Sequence, residues 1–160
     1  MKCLIFSDSH GNEIYMQRAI NLNRDADIIF FLGDGLSDAE LLAENDTRHT
    51  WIAVRGNCDF RSLFLGRRVD KTEEIIIENK KIVATHGDLY SVKYGLENIS
   101  NLAFSRSADI ILFGHTHKAH EEYVSEPKPH YLFNPGSIKE GEFGILTLNS
   151  NTVLFSHGKI

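Results

Sequence analysis

Seven side chains of the kinds that bind divalent transition metals occur in five short motifs of this 160-residue sequence. The motifs are Asp8-Ser-His10, Gly33-Asp34, Gly56-Asn57-Cys58-Asp59, His86-Gly87-Asp88 and Gly114-His115-Thr116-His117. The candidate ligands are Asp8, His10, Asp34, Asn57, His86, His115 and His117. Imidazole nitrogen combined with carboxylate oxygen suits Mn, Fe, Zn or Ni. Because this donor set exceeds one tetrahedral shell, it predicts two metals that share a bridging carboxylate.

Each motif follows a short apolar run that is typical of a buried β-strand. These runs are Cys3–Phe6, Ile28–Leu32, Trp51–Val54, Lys81–Thr85 and Ile110–Phe113. Ligands of open α/β sheets bind just beyond the carboxyl ends of the strands. If the five strands share a sheet, their loops meet at one edge and the seven side chains converge there.

Taken singly, each motif also has an ordinary structural explanation. Gly33-Asp34 and Gly56-Asn57 are common turn pairs, and a histidine after a strand is often just a hydrogen-bonded polar residue. The five motifs in this order, each after a strand, favour a metal centre. The other histidines, His49, His120, His130 and His157, are interpreted as structural or surface residues.

The rest of the hydrophobic pattern predicts helices between the strands in the first part of the chain and antiparallel strands in the last part. Helices are expected over Asn12–Leu22 and Ser91–Ser105. A further helix is expected to run to about Glu44, with Ser37 as its N-cap and Glu40 completing a capping box. Asn79–Lys80 is expected to turn a hairpin between Glu74–Glu78 and Lys81–Thr85. The last strands are predicted at Glu121–Ser125, His130–Asn134, Phe143–Leu148 and Thr152–Ser156. We predict one domain over residues 1–160, an α/β fold with two packed sheets flanked by helices.

Charge and hydropathy indicate which classes of binding partner the protein can have. The formal net charge is -5 and no Lys/Arg-rich block occurs, so an extended nucleic-acid surface is not indicated. No apolar run is long enough to span a membrane or to form a secretion signal. We therefore expect a cytoplasmic protein that acts on a small substrate, and a homo-oligomer is compatible with the sequence.

The ordered motifs resemble those of the calcineurin-like metallophosphoesterase superfamily. Asn134-Pro135-Gly136-Ser137 is similar to the same stretch in its small YfcE-like branch. The resemblance covers nearly the whole chain and implies the metallo-dependent phosphatase fold, a four-layer α/β/β/α sandwich. It implies a first metal held by Asp8, His10, Asp34 and His117. The second would be held by Asp34, Asn57, His86 and His115, with Asp34 bridging. Mn2+ is the expected activating metal, with Ni2+, Fe2+, Zn2+ or Mg2+ as alternatives.

We therefore predict a binuclear metal-dependent phosphoesterase that hydrolyses small phosphodiesters by attack of a metal-bridging hydroxide. Asn57, His86 and Asp34 are the predicted catalytic residues. Arg55 and Cys58 are the predicted substrate contacts, although Arg55 could equally be a surface arginine. Many members of the superfamily carry a histidine where Cys58 stands, and that histidine can protonate the leaving group. The cysteine therefore favours diesters with stable leaving groups.

Two other functions are compatible with this fold. The fold could serve as a protein-binding scaffold with little or no catalysis, but every expected ligand is present. A metal-dependent nuclease would need a basic groove or an accessory domain, and the sequence shows neither.

Overall fold

The computed structural model describes residues 1–160 and contains two five-stranded β-sheets. In chain order, the strands are β1 (Lys2–Phe6), β2 (Ile28–Phe31), β3 (Thr50–Ala53), β4 (Leu63–Phe64), β5 (Arg67–Arg68), β6 (Thr72–Ile77), β7 (Lys80–Thr85), β8 (Ile110–Leu112), β9 (Ala119–Val124), β10 (His130–Pro135), β11 (Glu142–Asn149) and β12 (Thr152–Lys159). The first sheet has the order β12-β11-β1-β2-β3, and the second has the order β6-β7-β8-β10-β9. The short strands β4 and β5 form a separate hairpin.

Three helices cover the outer faces of the sheets. They are α1 (Glu13–Leu22), α2 (Leu36–Ala43) and α3 (Glu97–Arg106). With at most ten residues each, these helices are too short to cross a lipid bilayer.

The core has three apolar layers because the side chains of each central strand alternate between its two faces. Ile5 of β1 packs between the sheets, in one cluster with Phe133 of β10. The next residue, Phe6, points the other way and packs in a second cluster with Met16 of α1. A third cluster joins the second sheet to α3. The predicted four-layer α/β/β/α sandwich is confirmed.

The predicted cap of α2 was wrong. The helix begins at Leu36 with Gly35 in the capping position, so Ser37 lies inside the first turn. The amides of Gly35 and Leu36 donate to the carboxylate of Asp59 at 2.9 and 2.8 Å. The Asp59 carboxylate, and not the Ser37 hydroxyl, therefore accepts hydrogen bonds from the first amides of the helix. Glu40 accepts a hydrogen bond from the Leu65 amide instead of completing a capping box.

The third helix starts later than predicted. Residues 88–90 form a 3-10 turn, Ser91 has a left-handed φ of 53°, and α3 begins only at Glu97. The left-handed residue breaks the helical path that the pattern over Ser91–Ser105 suggested. Val92 then packs against Gly87, where a Cβ would clash with it.

Other boundaries shifted by small amounts. The β6–β7 turn is centred on Glu78 and Asn79, both with positive φ, which is the geometry that closes a two-residue hairpin. The end of the chain is not wholly antiparallel, because β10 pairs with β8 in parallel. Strands β11 and β12 return to the first sheet and run antiparallel beside β1.

Candidate metal centre

The five motifs meet at one end of the sandwich although their strands belong to two sheets. The five strands do not share one sheet: β1, β2 and β3 lie in the first sheet, and β7 and β8 lie in the second. Two contacts tie the two sets of loops together. The His115 amide donates to Asp8 Oδ2 at 3.0 Å, and His86 Nδ1 lies 2.8 Å from the carbonyl oxygen of Leu32. Face-to-face packing of the sheets therefore brings both sets of carboxyl ends to one place.

The first group of converging side chains contains Asp8, His10 and His117, whose ligand atoms lie within 4.8 Å of one another. His117 Nε2 is 3.1 Å from Asp8 Oδ1, and His10 Nε2 is 3.8 Å from the same oxygen. The two imidazole nitrogens are 3.3 Å apart. These residues come from loops after β1 and β8, so each sheet supplies part of the group.

The second group contains Asp34, His86 and His115, again within 4.8 Å. His86 Nε2 lies 3.3 Å from Asp34 Oδ2 and 3.1 Å from His115 Nδ1. His86 Nε2 is also 3.9 Å from Asp8 Oδ1. The two groups are therefore neighbours, and six of the seven predicted ligands belong to them.

The donor set fits divalent cations. Asp8 Oδ1 is buried and accepts no hydrogen bond, which is costly for a carboxylate oxygen unless a positive charge faces it. The Nδ1–H of His86 donates to Leu32, so in the neutral ring the lone pair of Nε2 points into the cluster. Ring nitrogens that face each other at 3.1–3.3 Å bring two lone pairs toward one point. A shared cation satisfies such an arrangement.

The backbone of the cluster is strained. Ten non-glycine residues have positive φ, and five of them are predicted ligands: Asp8, His10, Asp34, His115 and His117. Such left-handed conformations are uncommon and concentrate at functional sites. The loops also approach closely, because a Cβ at Gly56 would clash with Asp34 Oδ1 and one at Gly114 would clash with Ser7 and Asp8.

A model of the calcineurin-like phosphoesterase superfamily domain matches residues 1–158. The chain belongs to this superfamily. It is 33% identical over 159 residues to the probable metallophosphoesterase YsnB of Bacillus subtilis, covering 94% of this chain and 86% of YsnB. It is 30% identical over 156 residues to phosphodiesterase YfcE of Escherichia coli, covering 86% of this chain and 79% of YfcE. The predicted family and the predicted metal-dependent phosphoester hydrolase are thereby confirmed.

A solved structure with the same fold is zinc-bound Vps29 from Entamoeba histolytica. It superposes with a TM-score of 0.75 at 21% identity and covers 99% of each chain. At this identity the likeness concerns the fold alone.

Two aspartates outside the predicted ligand set hold the ligand loops of this phosphoesterase. The carboxylate of Asp59 accepts hydrogen bonds from the amides of Asp34 and Gly56, both at 2.8 Å, besides those at the start of α2. Asp38 accepts from Ser9 Oγ at 2.6 Å and from the Gly11 amide at 2.7 Å, and so braces the loop between Asp8 and His10 and its continuation. The sequence motif contained Asp59, but only the fold reveals which amides it binds.

The Asn134-Pro135-Gly136-Ser137 stretch braces the loops from the other side. Asn134 Nδ2 donates to the Gly114 carbonyl oxygen at 2.8 Å and to Thr116 Oγ1 at 3.1 Å, on either side of His115. Ser137 Oγ donates to the carbonyl oxygen of Asp8 at 2.8 Å. Both side chains are fully buried. The stretch therefore positions ligand loops from both sheets.

The remaining predicted site residues lie at the edge of the cluster. Asn57 is exposed, and its side-chain amide donates to Cys58 Sγ at 3.3 Å. Cys58 Sγ lies within 4.8 Å of ligand atoms of His10 and Asp34, and the Cys58 amide donates to Asp34 Oδ1 at 2.8 Å. Arg55 is half-buried, and its Nε is buried without a hydrogen-bond partner. These three residues border the metal centre on the side of the β3 loop.

The carboxylates favour positive charge at the centre. Burial lowers the pKa of His86, but the hydrogen bond to Asp34 and the charges of Asp8 and Asp34 outweigh it, so this pKa is raised. Burial raises the pKa of Asp34, but His86 and the Cys58 amide outweigh it and hold this pKa well below its usual range. Burial and the charges of His86 and Lys93 lower the pKa of His115. The hydrogen bond to Asp34, and then burial, raise the pKa of the Cys58 thiol, so the thiol is neutral at pH 7.

Proposed function

We propose that this protein is a binuclear phosphodiesterase that hydrolyses small phosphodiesters. The observation that carries the proposal is the pair of adjacent ligand groups, joined by the 3.9 Å approach of Asp8 Oδ1 to His86 Nε2. Two divalent ions bound there would supply a water of lowered pKa and stabilise the charge that develops on the phosphate. We propose that Asn57 completes the second ligand group and that Asp34 serves both ions.

Local charge supports an anionic substrate although the whole chain carries -5. The two buried carboxylates of the centre, Asp8 and Asp34, face histidines that are neutral when they bind metal. Two divalent cations outweigh these two carboxylates, so the pocket floor is positive and attracts a phosphate ester.

Arg55 and Cys58 are proposed to act on the substrate. Arg55 has a buried Nε without a partner, and a guanidinium pairs well with phosphate oxygens. The Cys58 thiol lies beside Asp34 and stays protonated, since its pKa is raised. A neutral thiol is a weak hydrogen-bond donor, so it assists a departing oxygen less than a histidine would. Diesters with stable leaving groups, such as aryl or cyclic nucleotide diesters, are therefore the preferred substrates.

Mn2+ is the metal that we propose, and Ni2+, Fe2+, Zn2+ and Mg2+ are the alternatives. The mixture of imidazole and carboxylate donors suits the transition metals in this set better than Mg2+.

The test is hydrolysis of bis(4-nitrophenyl) phosphate by protein that has been stripped of metal. Each of Mn2+, Ni2+, Zn2+ and Mg2+ is then added back to wild type, to His86→Ala and to a matched control, His130→Ala. His130 is equally buried, but its ring bonds to Ser100 Oγ and the Lys128 carbonyl, away from the ligand groups. We expect metal to restore activity in wild type and in the control but not in His86→Ala.

The scaffold alternative predicts a different result. A folded protein that binds metal but hydrolyses neither bis(4-nitrophenyl) phosphate nor 4-nitrophenyl phosphate would contradict the phosphodiesterase proposal. The same assay checks the leaving-group argument, because faster turnover of alkyl monoesters than of aryl diesters would contradict the preference for stable leaving groups.

A further inference from the structure

A cavity of about 510 Å³ opens beside the metal centre. The cavity adjoins the candidate metal centre because Thr116, which lies between the predicted ligands His115 and His117, is one of its lining residues. The other lining residues come from the segment between β7 and α3 and from the end of β8 to the start of β9. Its volume lies in the range of small-molecule sites, which is about 300–1,000 Å³.

The walls of this cavity have two chemical characters. Val92, Leu96 and Phe113 form an apolar side. Val92 and Phe113 are almost fully buried and form the floor of this side, and Leu96 is its more accessible apolar side chain. Burial of a flat apolar ring against such a surface is favourable.

The other side of the cavity is cationic. Lys93 and Lys118 both line it, and both side chains belong to exposed residues. Neither lysine takes part in the ion pairs of the chain, whereas Lys2, Lys71 and Lys81 each bind a carboxylate. No carboxylate lines the cavity. The two ammonium groups are therefore available to an anion.

We propose that this cavity binds one ester arm of the substrate, and that this arm combines a flat apolar ring with a second negatively charged group. The inference rests on the proposed function, because it takes the scissile phosphate to lie at the metal centre. A diester whose phosphate lies there can extend past Thr116 into the cavity. The ring then packs on Leu96, above the floor of Val92 and Phe113, and its charge meets Lys93 and Lys118.

The test compares three diesters that share 4-nitrophenolate as the leaving group. The second arm is methyl, phenyl or 4-carboxyphenyl. Water adds to phosphorus, the bond to the nitrophenyl oxygen breaks, and nitrophenolate leaves, so the second arm remains on the monoester product. We expect kcat/KM to rise from methyl to phenyl to 4-carboxyphenyl, by roughly tenfold for the added carboxylate.

The variant Lys93→Gln/Lys118→Gln removes both charges. We expect it to erase the advantage of 4-carboxyphenyl over phenyl and to leave the ratio of phenyl to methyl unchanged. Using ratios cancels any effect of Lys93 on the nearby His115. The matched control is Lys128→Gln, because Lys128 lies in the β9–β10 turn, at the other end of the second sheet.

The outcomes separate this inference from the proposed function. Equal kcat/KM for the three diesters would leave the phosphodiesterase intact and overturn the cavity assignment. A carboxylate preference that survives in the double variant would overturn the role of the lysines. If no diester is hydrolysed, the proposed function fails. In that case, calorimetry with phenylphosphonate and 4-carboxyphenylphosphonate tests binding in the cavity without catalysis. Equal affinities of the wild-type protein for the two phosphonates would overturn the cavity assignment, and we expect tighter binding of the 4-carboxyphenyl compound that is lost in the double variant.

Discussion

Two regions of this molecule pair a buried histidine with an aspartate, and they serve different purposes. In the metal centre, His86 Nε2 lies 3.3 Å from Asp34. Near the start of β3, His49 Nδ1 lies 2.6 Å from Asp46. Both imidazole side chains are fully buried. The residue types are the same, so the surroundings must explain the difference.

The Asp46 carboxylate is surrounded by hydrogen-bond donors. It accepts from the amides of Arg48 and His49, from the His49 ring and from the Trp51 indole. One buried nitrogen, His49 Nε2, is left without a hydrogen-bond partner. Neither Asp46 nor His49 belongs to a group of side chains that could hold a metal, and their hydrogen bonds hold the entry to β3.

The metal centre is surrounded by acceptors instead. Ring nitrogens of His86 and His115 face each other at 3.1 Å, and Asp8 Oδ1 has no donor. The backbone of Asp34 and His115 is left-handed, whereas Asp46 and His49 have negative φ. An excess of converging acceptors on a strained backbone, at the carboxyl ends of strands, thus distinguishes the site from a structural pair.

The largest expected difference between the two regions is the effect of Asp→Asn on catalysis. Asp34→Asn removes the carboxylate that we propose to serve both metals, so kcat/KM for bis(4-nitrophenyl) phosphate should fall at least about a thousandfold. Asp46→Asn should leave it within about twofold, because Asp46 contacts no site residue. Circular dichroism checks that both variants are folded. Activity of Asp34→Asn within tenfold of wild type would contradict the role proposed for Asp34.

The second largest effect is expected at Asp59, which holds the loops of the predicted ligands but is not itself a predicted ligand. In wild type, the backbone amides of Asp34 and Gly56 donate to the Asp59 carboxylate. Asp59→Asn replaces one carboxylate oxygen by an NH2 group, which cannot accept these hydrogen bonds. We expect manganese affinity to fall about 10–100-fold, as for other residues that orient metal ligands. Activity should recover at saturating metal, which separates positioning from catalysis.

Calorimetric titration with Mn2+ measures this effect, and the exposed Asp25→Asn is the matched control. Unchanged affinity in Asp59→Asn would show that the Asp34 loop holds its shape without Asp59.

A smaller effect is expected on stability at the structural pair. Asp46→Asn weakens a carboxylate that accepts several hydrogen bonds, so the free energy of unfolding should fall by about 1–3 kcal/mol. Urea denaturation of the stripped protein measures it. A change below about 0.5 kcal/mol would mean that water replaces these hydrogen bonds without cost.

The smallest expected effect is the pH dependence of that loss. Burial raises the pKa of Asp46, but hydrogen bonds from Arg48, Trp51 and His49 outweigh it and hold the pKa below its ordinary value of 3.8. A lowered folded pKa stabilises the protein above the unfolded pKa, and this contribution is lost as the pH falls through the folded value. The difference in unfolding free energy between wild type and Asp46→Asn should therefore shrink between pH 7 and pH 3. A gap that widens toward acid would contradict the assignment.

The sequence predicted the positions of the five motif-bearing strands along the chain well because a buried strand and the polar residues after it are local signals. Cys3–Phe6 and Ile110–Phe113 coincide with β1 and β8 to within a residue or so. The five motifs contain all six side chains of the two groups, Asp8 with His10 and His117 and Asp34 with His86 and His115, that could hold a metal.

The errors came from long-range contacts. The cap of α2 is Asp59, which lies more than twenty positions away from Leu36, so the local Ser37 pattern was misleading. At the break, Ser91 has a left-handed φ and Val92 packs against Gly87, a contact that helical periodicity does not reveal. Periodicity alone also could not divide the five strands between two sheets, because strand pairing is a tertiary property.

Anomalous diffraction from crystals grown with Mn2+ shows directly how many metal ions the proposed two-metal centre binds. We expect two peaks per chain, about 3.5–4 Å apart. One should lie among Asp8, His10 and His117, and the other among Asp34, His86 and His115. A single peak, or manganese bound elsewhere in a protein that still hydrolyses diesters, would contradict the two-metal centre.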